Sequence, residues 1–239
     1  GDRLLFTATD ATSGSELWRS DGTLLGTQLV ADIRPGTAGS FILSLVVFDG
    51  TAYFQANDGV NGAELWRSDG TEAGTWMVAD VAPGSASAGP GFFAFMNGML
   101  YFRATSTPAV TELWRSDGTA AGTTLVKQVA VSSPPAVLNG ALYFGASEAA
   151  TGAELWTSDG TTAGTVLVAD LRAGAGSSSP SGFTAVGGSM FFTADDGTTG
   201  RELWKSDGTA AGTQLLADVR PGTATSGLTS SSQARTGRK

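Results

Sequence analysis

Short apolar runs alternate with clusters of Gly, Asp, Asn and Thr along the whole chain, and no stretch holds a helical 3.6-residue period. One unit shows the pattern. Residues 41–48 (FILSLVVF) are apolar and rich in branched side chains, and Asp49-Gly50, a strong hairpin signal, follows them. Residues 52–56 (AYFQA) read as a second strand, 57–63 as a polar loop and 64–68 (ELWRS) as a third strand. A turn over 69–75 leads to a fourth strand at 76–81 (WMVADV), and Ala82-Pro83-Gly84 ends the unit. The unit is therefore four short strands, a to d.

The unit is copied. The phrase ELWRSDGT begins at Glu16, Glu64 and Glu112, with ELWTSDGT at Glu154 and ELWKSDGT at Glu202, so the steps are 48, 48, 42 and 48 residues. Each copy is followed by two variable residues and Gly-Thr. A fixed period of this size marks one supersecondary unit repeated around a shared core. The b strands (Leu4-Leu5-Phe6, Ala52-Tyr53-Phe54, Leu100-Tyr101-Phe102, Leu142-Tyr143-Phe144, Met190-Phe191-Phe192) are continuous apolar runs, as in sheets covered on both faces. The pattern predicts an all-β fold: a five-bladed β-propeller, four antiparallel strands per blade, forming one domain over 1–239. Its blades centre on 16–32, 64–80, 112–129, 154–170 and 202–218. A trefoil has three units, β-helices and leucine-rich repeats have shorter periods, and an open array leaves two apolar ends.

Two departures carry expectations. The first unit begins at strand b, so it lacks a strand a. The Gly-to-Gly spacing of 36–50, 84–98 and 174–188, carried on from Gly222, reaches 236, so the tail 223–239 is expected to supply that strand and close the ring. In the third unit the crossover Asp-x-x-Pro-Gly is replaced by Ala130-Val131-Ser132-Ser133-Pro134-Pro135, and six residues are missing, so the connection must be short.

Within the phrase, side chains alternate: Leu and Arg on one face, Glu, Trp and Ser on the other. Trp18, Trp66, Trp114, Trp156 and Trp204 are expected to pack between blades, in preference to stacking on sugars. The five Glu are expected to pair with a neighbouring Arg or with backbone. Ser-Asp-Gly-Thr is turn chemistry, with Asp accepting from nearby amides and Gly left-handed. A calcium site is the sharper alternative, but one Asp per turn is thin for a cation wanting six to eight oxygens. No cofactor is expected.

Charge then narrows the partners. The net charge is −8, against nucleic acid and anionic membranes, and 14 of the 22 acidic residues belong to the repeat. There is no Cys and no His, which removes thiol chemistry, His ligands and the usual base near neutral pH. The a strands lack the paired carboxylates of a glycosidase, so the chain reads as no enzyme. No run is long enough for a membrane span, and no signal peptide is visible. The chain starts inside a repeat, as a processed or excised piece of something longer would.

The phrase itself, present five times, resembles the bacterial ELWxxDGT repeat proteins. That resemblance implies an exported, extracellular or cell-surface bacterial repeat protein, often a segment of a larger chain, and transfers no catalytic residues. Size and blade count are also similar to five-bladed lectin propellers of the tachylectin-2 type, in architecture alone. The a–b and c–d turns repeat, whereas the b–c loops (10–15, 57–63, 106–111, 147–153, 195–201) and the d–a crossovers vary. Loops free to vary are where binding concentrates. The candidate ligand residues are Asp10, Asn57, Asp58, Asn61, Glu148, Asp195, Asp196 and Arg201, with a glycan or a protein as partner. Beside this lectin-like binding module stands a structural or assembly subunit of a larger cell-exterior protein.

Overall fold

The computed structural model describes residues 3–107, 111–222 and 227. The tail expected to close a ring (223–239, Gly227 apart) and residues 108–110 of the third b–c loop lie outside them. The described residues form strands and turns and contain no helix.

Five antiparallel sheets follow one another along the chain. The first holds β1 (Leu4–Asp10), β2 (Gly14–Ser20) and β3 (Gln28–Ala31). The second holds β4 (Leu43–Phe48), β5 (Thr51–Asn57), β6 (Ala63–Ser68) and β7 (Thr75–Ala79) in that order. The third holds β8 (Gly91–Met96), β9 (Met99–Ala104), β10 (Glu112–Ser116) and β11 (Thr124–Lys127). In the fourth, β12 (Ala130–Val131) and β13 (Ala136–Leu138) both pair with β14 (Ala141–Glu148), and β15 (Gly152–Ser158) and β16 (Val166–Ala169) follow. The fifth holds β17 (Ser181–Val186), β18 (Ser189–Asp195), β19 (Arg201–Ser206) and β20 (Gln214–Ala217). The fold is all-β and propeller-like.

The short third crossover is now explicit. Only Gln128 and Val129 separate β11 from β12, and Pro134-Pro135, unable to donate to a ladder, split the a strand into β12 and β13. The Ser133 hydroxyl accepts the Gly145 amide at 2.7 Å across that break.

Turn geometry explains why the strands stop where they do. Both central residues of the a–b turns have positive φ: Asp49-Gly50, Asn97-Gly98, Asn139-Gly140 and Gly187-Gly188. This is the type I′ hairpin, whose twist matches that of the flanking strands. The b strands are the most buried, with Phe54, Phe102, Phe144 and Phe192 fully enclosed. Phe6 of β1 is only half-buried, its sheet holding no strand a among the described residues.

The chain divides into two compact units, Gly1–Phe93 with Phe102–Thr124 and Ala94–Tyr101 with Leu125–Lys239. In the first, Leu17, Val30 and Ile33 pack with Phe54, Ala52 and Ala56, and Trp66 lies against them. In the second, Leu155 and Val168 pack with Met190, Phe192 and Trp204. In each unit, then, a motif Trp packs against the Leu and strand-d Val of the preceding sheet.

Candidate functional site on the loop side

The phrase is built from its own hydrogen bonds. In the second copy the Asp69 carboxylate accepts the amide and hydroxyl of Thr71 at 2.9 and 2.7 Å. The Thr71 hydroxyl accepts the Gly74 amide at 3.0 Å, and Thr75 donates back to the Thr71 carbonyl at 2.7 Å. Ser68 accepts the Gly70 amide at 3.0 Å and bonds Thr75 through its hydroxyl. The same set recurs from Asp21, Asp117, Asp159 and Asp207. The Thr bonds hold these carboxyls below the usual range. Any Cβ at Gly26, Gly74, Gly122, Gly164 or Gly212 would overlap the Asp side chain, which explains the trailing Gly-Thr. Gly22, Gly70, Gly118, Gly160 and Gly208 all have positive φ. Among the described residues no group of three or more His, Cys, Asp or Glu converges as a metal site.

The motif Glu serves a different end of the blade. Glu64 accepts the Val81 amide at 2.8 Å and the Ala88 amide at 3.0 Å, 17 and 24 residues ahead. Glu16 takes the Ile33 and Arg34 amides and the Ser40 hydroxyl, and Glu154 takes the Leu171 and Ser178 amides and the Ser178 hydroxyl. Of the two partners expected for these glutamates, backbone is the one found for these three. Each carboxylate thus pins both ends of its d–a crossover. Burial pushes Glu64 up to about 7, against the pull of its amide partners, and pushes Glu16 up as well. In the third copy, with its crossover shortened, Glu112 instead takes the Trp114 indole N–H at 3.0 Å and the Ser106 amide at 3.1 Å. The indole nitrogens of Trp18, Trp66, Trp156 and Trp204 are buried with no hydrogen-bond partner among the described residues.

The expected ligand residues fall on separate loops, and most are engaged within them. Asp10 accepts the Thr12 and Ser13 amides at 2.8 and 2.7 Å, and these bonds, that of Ser13 foremost, hold its carboxyl at about 2. Asp58 accepts the Val60 and Asn61 amides and the Asn61 side-chain amide. Asp196 accepts the Thr198 and Thr199 amides. Burial raises Asp58 and Asp196, but these bonds outweigh it and the net shift is downward. Asn57 and Asp195 accept the Gly59 and Gly197 amides. Arg201 donates to the Ser179 and Thr193 carbonyls and to the hydroxyls of Ser181 and Thr193. Glu148 is exposed at the end of β14. Asn57, Asp58 and Asn61 share one loop, and Asp195, Asp196 and Arg201 share another.

The residues that do line a hollow are different and small. A cavity of about 240 Å³ lies between the crossover residues Ala82, Ala86 and Ser87 and the b–c loop residues Thr105, Ser106 and Thr107. Sequence reasoning passed over these positions because none carries a charge or an aromatic ring. The sole signal was their place in the variable loops.

Fold comparison defines the class as a propeller-like all-β protein. No protein-family model matches the chain, and no curated protein matches it by sequence. Among solved structures it is similar to a puromycin hydrolase S511A mutant complexed with PGG (16% identity, TM-score 0.59), covering 92% of this chain and 36% of that one. It is also similar to TolB from Acinetobacter baumannii (10% identity, TM-score 0.52), covering 90% and 52%, and to the computationally designed Ika8 protein (16%, TM-score 0.50), covering 94% and 61%. The chain thus spans about a third of the length of the hydrolase. At these identities the likeness concerns fold alone.

Proposed function

We propose that this chain is a non-enzymatic propeller module that binds a glycan or a protein through its b–c loop and d–a crossover side. The observation that carries the reading is the cavity between Ala82–Ser87 and Thr105–Thr107, on the side where the repeat stops being uniform. At about 240 Å³ it lies just below the usual range for small-molecule pockets, and it suits one sugar ring or one side chain. The absence of His and Cys, and the commitment of buried Glu16, Glu64 and Glu154 to backbone and serine groups, favour binding over catalysis. Export to the cell exterior follows from the resemblance to ELWxxDGT repeat proteins. A glycan array and a pull-down from extracellular material test this. Retention that Thr107→Trp abolishes supports the reading, and no retained ligand in either assay overturns it.

The same reading takes the sheets as five blades of four strands, the first completed by the tail. Its support is the register of the last unit. The residue 25 positions after the motif Glu has positive φ in Phe41, Gly89 and Ser179, and Gly227 occupies that place with φ 77°. In those earlier units that residue stands just before a strand a, and Gly227 matches it in position and in the sign of φ.

A further inference from the structure

The hollow beside Ala82 has counterparts at two other crossovers, and there an arginine occupies the place. Ala82 stands 18 residues after its motif Glu, and the same count gives Arg34 in the first copy and Arg172 in the fourth. Each arginine reaches the b–c loop of the sheet that follows. The Nε of Arg34 lies 3.2 Å from where a Cβ would stand on Gly59, and that of Arg172 lies 3.0 Å from the same point on Gly197. Gly59 and Gly197 stand five residues before their motif Glu, and the residue five before Glu112 is Thr107. The hollow is thus framed by the two positions that elsewhere hold an arginine and its glycine. It lies within the first compact unit, as does the Arg34–Gly59 pair, and the Arg172–Gly197 pair lies within the second.

The two changes go together for a steric reason. Glycine lets the arginine stem cross the loop backbone closely, whereas a Cβ at Gly59 or Gly197 would press on that stem. Where Thr107 brings a Cβ, residue 82 is alanine. The rest of the first-copy frame is kept, with Ala86 in the place of Ala38. What remains at the third loop is space for one long side chain, about 240 Å³. Ala82 and Ala86 give it apolar walls, and Thr105, Ser106 and Thr107 bring hydroxyls able to accept. Ser87 Oγ already accepts the Ala63 amide at 2.9 Å. None of the six lining residues is a cation. The buried Glu112 carboxylate stands behind the loop, accepting the Ser106 amide at 3.1 Å, and Asp80 is exposed two residues before Ala82. An apolar stem with a cationic head fits these surroundings.

We infer that this hollow takes an arginine side chain of a protein partner, in the place that Arg34 and Arg172 fill from within the chain. The inference rests on the loop-side binding reading above and chooses a protein over a glycan as the ligand. A guanidinium suits the site better than an ammonium, because its weakly hydrated planar head can lie along the loop backbone while its stem covers the two alanines.

The test is an NMR titration of the full chain with N-acetylarginine methylamide, beside its lysine and citrulline counterparts. The arginine compound should shift the amides of Ser87, Ser106 and Thr107 saturably, with a Kd of about 1 mM, the scale of a fragment this small, and about ten-fold more tightly than the other two. Ala82→Arg/Thr107→Gly restores the first-copy pair, so it should abolish the response and keep the wild-type Tm. Arg34→Ala should open an equivalent site, so that the Gly59 and Val60 amides respond as well. No saturable response to the arginine compound, an equal response to lysine, or Arg34→Ala without a second response overturns the inference. A response that survives Ala82→Arg/Thr107→Gly also overturns it, since the arginine then binds elsewhere. A ligand retained by the glycan array or pull-down and lost in Thr107→Trp, with the arginine compound silent, removes this inference and leaves loop-side binding standing. Silence in all three assays removes both.

Discussion

The Glu64 carboxylate bonds the Val81 amide, 17 residues ahead, at 2.8 Å, and so ties strand c to the far end of strand d. Because burial lifts Glu64 to about 7, its protonated form is the one the fold favours. A folded value above the unfolded one contributes stability that is complete below about pH 4.5 and is lost as pH rises through about 7. The Glu64 share of stability should therefore fall by about 2 kcal/mol between pH 5 and pH 8. Thermal melts across that range should show the loss in wild type and a flatter profile in Glu64→Gln. Equal slopes in the two would refute this role.

Gly74→Ala should cost about 2 kcal/mol, because the new methyl group overlaps the Asp69 carboxylate that organises the turn. Ala73→Ser, one residue earlier and exposed, should change stability by less than about 0.5 kcal/mol. Denaturant titration of the pair decides whether the trailing glycine is a steric requirement.

Phe102→Ala should cost about 4 kcal/mol, as expected for a fully enclosed ring, here one that also meets Phe93 at 6.1 Å between centroids. Phe6→Ala, at the same strand position in the three-stranded sheet, should cost about half as much, since Phe6 is only partly covered. Equal losses would mean that a further strand covers β1 in solution.

The Asp10 carboxyl should titrate near 2 by NMR, and Thr12→Val should raise that midpoint by removing one hydroxyl donor. The sign is that of a depressed acid: its bonds favour the fold above the unfolded value of about 3.8 and are lost as pH falls towards 2. A midpoint already near 4 in wild type would show that the turn is not closed by this side chain.

The strand pattern was legible because its punctuation is chemical. Asp-Gly and Asn-Gly fix the a–b turns through positive φ, and Ser-Asp-Gly-Thr fixes the c–d turn through contacts between near neighbours. The office of the motif Glu was less legible, because its partners lie 17 and 24 residues away and are mostly backbone amides. Asp10, Asp58 and Asp196 were singled out for their loops, yet all three stand six residues before a motif Glu, and each closes the same local turn. That recurrence was the available sign of framework. The hollow beside Ser87 and Thr107 had no such sign, since it depends on where two loops distant in sequence come together.

Thr157 replaces the motif cation in the fourth copy, and its hydroxyl turns back to the Leu142 carbonyl of its own sheet at 2.9 Å. Tyr143, Leu155, Val168, Met190, Phe192 and Trp204 hold that seam, whereas Arg19 and Arg67 add charged hydrogen bonds to the earlier ones. Apolar cohesion fades on cooling, and guanidinium bonds do not share that dependence. Chilling should therefore loosen the Thr157 seam before those of Arg19 and Arg67, giving the repeats unequal cold resistance despite their nearly identical lettering.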